Sequence, residues 1–169
     1  MSHVTRKRIK FMYAYRIIRN GEVVKEVKRQ RDLLVWRGQM VLAYLLSQSA
    51  VGTSTSTWKA VVSSNSTTPD MGDDSGNPES NEFSPTLGTP ATVTYSFEPT
   101  NKSSGAMQNY SHLKITGSIT LTSSGTLRKI GIIDNVATPN RHIIVEDAVV
   151  PVTVYVSDVI EVEYWIPLW

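Results

Sequence analysis

Residues 10–31 read KFMYAYRIIRNGEVVKEVKRQR, and no other stretch constrains the fold as tightly. Phe11, Tyr13, Tyr15 and Ile17 stand at alternate positions, the period of two that marks a strand with one buried face. Asn20-Gly21 follows, a dipeptide that tolerates the positive φ values of a type I′ turn. A two-residue loop pairs Arg19 with Glu22, Ile17 with Val24 and Tyr15 with Glu26. The other face then pairs Arg16 with Lys25, Met12 with Arg29 and Lys10 with Arg31, on a line that extends toward Arg8 and Arg6. Like charges directly opposite one another destabilise a hairpin. This register therefore predicts either a pairing that fails well before Lys10 or an anionic surface laid against the ribbon.

The charge of the whole chain points the same way. Residues 1–37 carry 11 Lys and Arg against three acids, a net +8, while residues 38–169 carry 6 basic and 12 acidic residues, a net −6. Such polarity suits an acidic partner or head-to-tail contact between copies of one chain. Tyr13 and Tyr15 point away from the cationic face, so aromatic stacking platforms are not mixed into it and nucleic acid is the disfavoured partner.

Beyond the hairpin, Asp32 to Trp36 (DLLVW) reads as a short strand. Gln39 to Gln48 (QMVLAYLLSQ) follows Arg37-Gly38 and carries strong helix formers, predicting one substantial α-helix. It is far short of a membrane span, and the basic start runs into alternating residues rather than a signal-type apolar run, so no membrane role is expected. Trp58 to Val62 reads as a strand. Residues 63–90 form a long polar loop punctuated by proline and glycine, a length that marks a functional or mobile segment. From Ala91 the chain alternates throughout, in ATVTYSFE, Ser111 to Thr122, Leu127 to Ile133, Ile143 to Val145, Val149 to Val156 and Val159 to Leu168. Ile160, Val162, Tyr164, Ile166 and Leu168 point inward against Glu161 and Glu163. Strands joined by short turns predict a mainly β chain: an antiparallel β-sandwich, jelly-roll-like, with an N-terminal hairpin and one helix. The expected division is a basic arm over 1–31 and a sandwich domain over 32–169.

Chemical signatures are few. No cysteine is present, which removes disulfides, thiolate metal sites and cysteine nucleophiles together. His3, His112 and His142 carry no local signature, and a Ser/His/Asp set using Asp134 has no nucleophile-elbow motif behind it. Asp70, Asp73, Asp74, Asn77 and Glu79 offer hard oxygen ligands suited to Ca²⁺, but their spacing does not match an EF-hand, and a solvated acidic loop is the preferred reading. Nucleotide-binding motifs are absent. The expectation is a non-enzymatic protein without metal or cofactor. Its docking residues are Arg8, Lys10, Arg16, Lys25, Arg29 and Arg31, with Trp165 and Trp169 as interface aromatics. An alternative is a carbohydrate- or receptor-binding module in which Trp58, Asp70, Asp73 and Asp74 form a ligand loop, for example toward a host surface glycan.

YRIIRNGEVVKE followed by RDLLVWRGQMVLAYLLS resembles the opening of small β-sandwich virion proteins of tailed bacteriophages, of the tail, fibre or head-attached type. TLRKIGIID and NRHIIVEDAVVPVTVYVSDVIEVEYWIPL resemble their closing pattern, and WKAVVSSNSTTPD the strand and Thr/Pro loop between. Lys129 departs from it, standing where such proteins carry an acid before the Gly-hydrophobic pair, and the 63–90 loop is longer. The resemblance implies a structural virion component, assembled in the host cytoplasm, that docks on other virion proteins and on copies of itself in a ring or trimer.

Overall fold

A computed structural model describes residues 10–33, 58–69, 82–99, 110–134 and 142–167. They form β1 (Lys10–Arg19), β2 (Glu22–Leu33), β3 (Trp58–Ser63), β4 (Ala91–Thr92), β5 (Thr94–Pro99), β6 (Tyr110–Thr120), β7 (Gly125–Asp134), β8 (His142–Val154) and β9 (Val159–Pro167). All pairings are antiparallel. One sheet runs β2-β1-β9-β6-β5 and the other β4-β3-β7-β8.

Alternation explains how the two sheets share a core. Tyr15 and Ile17 of β1, Ile115 and Ile119 of β6, and Ile160, Val162, Tyr164 and Ile166 of β9 face inward from the five-stranded sheet. Trp58, Ala60 and Val62 of β3 and Leu127, Ile130 and Ile132 of β7 meet them from the four-stranded sheet in the same buried cluster. Each branched aliphatic side chain fully removed from water there contributes roughly 1.5–3 kcal/mol. The inward set expected for the last strand is found for Ile160, Val162, Tyr164 and Ile166; Leu168 lies outside the described residues.

The hairpin forms around Asn20-Gly21, both at positive φ as a primed turn requires. Its register differs from the expected one. Arg19 opposes Glu22 as expected, but β2 carries an extra residue at Val24 and another at Lys28-Arg29. These bulges place Arg16 opposite Glu26 rather than Lys25, Met12 opposite Arg31 rather than Arg29, and Lys10 opposite Leu33 rather than Arg31. Each extra residue slides the partners by one and removes the like-charge pairs that a uniform ladder would create.

The expected boundary at residue 31 also falls away. β1 pairs with β9 from Met12↔Trp165 to Ile18↔Val159, so the hairpin is part of the sheet and not an arm. ATVTYSFE divides between the sheets at Val93, and the two short runs expected over 143–156 are one bulged strand, β8. The expected helix over 39–48 lies outside the described residues, among which no helix is found.

Parts of the described ends of the 63–90 loop pack down onto the sheets, while Ser66, Thr67, Thr68, Ser84, Pro85 and Thr89 stay exposed. Leu87 enters the main core, Thr86 bridges Ser63, and Gly88 bridges Leu121. Phe83 covers the outer face of the four-stranded sheet in a second cluster with Val61, Ile133 and Ile143. Its ring lies so close over Gly131 that a Cβ there would overlap it. Polarity of composition concealed this, since one aromatic residue suffices to pin a hydrophilic loop.

Candidate interaction surface

On the outer face of the five-stranded sheet, the strand order sets basic and acidic residues side by side. Arg16 of β1 is in register with Glu161 of β9, and their side chains form an ion pair. Glu161, through that hydrogen bond first and its charge second, holds the Arg16 guanidinium above its ordinary pKa. Lys114 of β6 meets Glu163 of β9 at 3.1 Å, and its ammonium lies 5.2 Å from the centre of the Trp165 ring. Lys28 and Glu26 of β2 approach to 3.4 Å. Arg16, Glu26, Lys28, Lys114, Glu163 and Trp165 line a depression of about 370 Å³ between these strands. Cations and carboxylates alternate around it, so it presents no net field of one sign.

The hairpin turn and the β8–β9 turn meet at one end of the sandwich. Arg19 donates from Nε and from its second terminal nitrogen to the two carboxylate oxygens of Asp158, at 2.9 and 2.8 Å. Asp158 is 2% exposed and also accepts the Tyr155 backbone N–H at 2.9 Å. The Arg19 hydrogen bond, reinforced by that N–H, lowers the Asp158 pKa against the opposing effect of burial. The Arg19 guanidinium lies 4.3 Å from the centre of the Tyr155 ring. Around this ion pair stand apolar side chains in water: Val23 and Tyr155 are 52% and 50% exposed, with Val24 and Val156 similar.

A third polar group is buried beneath the packed loop. Lys129 of β7 is fully covered, with its ammonium 3.1 Å from Glu82 and 3.2 Å from Glu146 of β8. It also donates to the Thr67 hydroxyl at 2.8 Å. The Thr67 backbone N–H donates to the Asn65 side chain at 2.7 Å, the Asn65 N–H to Ser63 Oγ at 2.8 Å, and the Asn65 amide to the Ser84 carbonyl at 3.0 Å. Both described ends of the loop are thus tied to one buried charge.

The expected docking residues do not form one stripe. Arg16 is half exposed but already paired within the chain, Lys25 stands opposite Ile17, and Arg29 lies in the second bulge. Lys10 and Arg31 sit on β1 and β2 opposite Leu33 and Met12. Trp165 is buried on the outer face under Lys114, and Trp58 is a core residue at 2% exposure, which removes it as a ligand platform. Arg8, Trp169, Asp70, Asp73 and Asp74 lie outside the described residues. His112 lies on β6 opposite Glu98 and Pro167, and His142 on β8 opposite Asp134. Among the described residues, no group of three or more His, Asp or Glu could hold a metal ion.

Sequence reasoning missed Asp158 and Glu161 as partners of the hairpin cations. The alternation of Glu161 and Glu163 was visible, but which strand lies beside β1 is a property of topology. It missed the Lys129 group altogether, although a lysine inside LRKIGII was a signal, because a charge in an apolar strand needs a buried partner. Compared with models of protein families, with curated proteins and with solved structures, the chain matches none.

Proposed function

We infer that this protein is a non-enzymatic structural subunit that acts by assembly, and that its setting is the particle of a tailed virus. The observation that carries the assembly reading is the position of β2 as an edge strand among the described residues. It is the terminal strand of its sheet, and it presents Val23 and Val24, each about half exposed, beside Lys25 and Lys28. An edge strand that bears exposed apolar side chains is a template for association. Bulges and lysines restrain it from indiscriminate pairing, which favours a specific, charge-matched neighbour over general aggregation.

The neighbour is a second copy of the chain, docked heterologously as a ring requires. The sequence supplies the complementary charge in Asp70, Asp73, Asp74 and Glu79, against the surplus of cations before residue 38. The virion setting rests on the resemblance of the opening and closing segments, supported by a β-rich, two-sheet frame in which the first and last described strands lie side by side. A jelly-roll-like subunit and one helix over 39–48 belong to the same reading. The glycan-binding alternative loses its aromatic platform with the burial of Trp58.

The test is association in solution and in particles. The variant Val23→Ser/Val24→Ser/Lys25→Glu/Lys28→Glu should keep the wild-type unfolding midpoint within a few degrees, because all four side chains are at least partly exposed. It should nevertheless sediment as a monomer at concentrations where the wild-type chain associates. A mass-spectrometric inventory of purified particles that lacks the wild-type chain would reject the virion setting while leaving the assembly reading standing.

A further inference from the structure

The assembly reading makes no use of Lys129, yet its surroundings are chemically unusual. The side chain is 1% exposed, and that of Glu146, 3.2 Å away on the adjacent strand, is 0% exposed. Glu82 reaches the same nitrogen at 3.1 Å from the loop, with 22% of its side chain exposed. Phe83, its ring centre 5.7 Å from the lysine nitrogen, and Thr67, at 2.8 Å, close the site. An amine and a carboxyl group are held together out of water on rigid strands, with a second carboxylate touching the amine. Those are the three requirements of amide formation: a nucleophile, an electrophile at high effective concentration, and a proton carrier.

We propose that Lys129 and Glu146 condense into an isopeptide cross-link between β7 and β8, with Glu82 as the proton-transfer group. One proton passes from the Lys129 ammonium to the Glu146 carboxylate, giving an amine and a carboxylic acid without exchange with solvent. The nitrogen lone pair attacks Cδ of Glu146 and forms the C–N bond. Glu82 takes one of the two protons left on Nζ and returns it to the departing hydroxyl. The Cδ–OH bond breaks, the carbonyl re-forms and water leaves. No oxidant, cofactor or co-reactant takes part. The product replaces a buried ion pair, whose desolvation is costly, with a neutral amide whose N–H donates to Glu82. Net charge on the chain is unchanged, since one cation and one anion disappear together.

The cross-link is read directly from the intact mass of the purified, denatured full-length chain. The expected mass is that of the sequence, corrected for Met1 if it is removed, less one water. The deficit should vanish in Lys129→Arg, and fragmentation of a tryptic digest should find segment 129–141 joined to segment 142–169 in a product with two amino termini. Glu82→Gln should give a mixture of linked and unlinked chains. A wild-type chain at its full sequence mass overturns the proposal without need of any variant, as does a water deficit that persists in Lys129→Arg. Full cross-linking of Glu82→Gln at the wild-type rate removes Glu82 from the reaction.

Discussion

Arg19 and Asp158 join the two turns at one end of the sandwich through paired hydrogen bonds of 2.9 and 2.8 Å, although 139 positions separate them in sequence. Two parallel N–H···O bonds to one carboxylate fix orientation as well as distance. The lowered pKa of Asp158 means that acid breaks this contact. A carboxyl group with a folded-state pKa below its unfolded value, about 3.9 for Asp, contributes stability that is fully present above that value. That contribution is lost as pH falls through the folded pKa. Asp158→Asn should therefore lower the urea midpoint at pH 7 and leave a shallower decline between pH 5 and pH 2 than the wild type shows. Parallel wild-type and variant slopes would contradict it.

Arg16 is paired across strands with Glu161 and opposed by Glu26. Arg16→Glu should destabilise the fold modestly, by about 1 kcal/mol or less, as expected of a half-exposed pair. Arg16→Glu/Glu161→Arg should recover most of the loss. Denaturant unfolding of the single and double variants measures the coupling; additive losses would deny that the pair matters.

Phe83 is wholly buried over Gly131. Phe83→Ala should cost about 3–5 kcal/mol, the usual range for deleting a buried aromatic ring. Because the ring pins the loop, protease cleavage within residues 64–82 should quicken in the same variant. A change within 0.5 kcal/mol would show that the loop is not held by this contact.

Relative to a chain in which both groups are replaced by apolar ones, Lys129→Met leaves Glu146 buried without a partner, a change expected to cost about 3–5 kcal/mol. Lys129→Met/Glu146→Leu removes both groups and should restore a large part of it, since an apolar pair needs no partner. Thermal unfolding of both variants provides the comparison. Failure of the double variant to improve on the single one would contradict this account of the site.

Much of the fold could be read in the chain, for reasons that also mark where reading stopped. Alternation in VIEVEYWIP gave the inward and outward faces of β9, and Asn20-Gly21 gave the hairpin, because both signals are local. Bulges are not announced by propensity. Two extra residues in β2 were enough to break up a stripe of cations that a uniform ladder would have built. Strand adjacency is likewise non-local, so the acids that satisfy Arg16 and Arg19 emerged only with β9 placed beside β1. Trp58 misled in a further way. A tryptophan next to a polar loop suggests a binding platform, but the alternation of WKAVVS sets it on the same buried face as Ala60 and Val62.

These contacts change the answer to what faces the basic hairpin. Glu161 of β9 and Asp158 of the β8–β9 turn meet Arg16 and Arg19 from within the chain, and β2, an edge strand among the described residues, is the surface assigned to a neighbour. Sedimentation velocity over a wide concentration range, at low and high salt, tests that division most directly. The account predicts that the wild-type chain forms a defined oligomer at low salt which dissociates as salt rises, while the variant altered at Val23, Val24, Lys25 and Lys28 stays monomeric and folded. A wild-type chain that remains monomeric at every concentration and salt level, or a variant that assembles as well as the wild type, would contradict it.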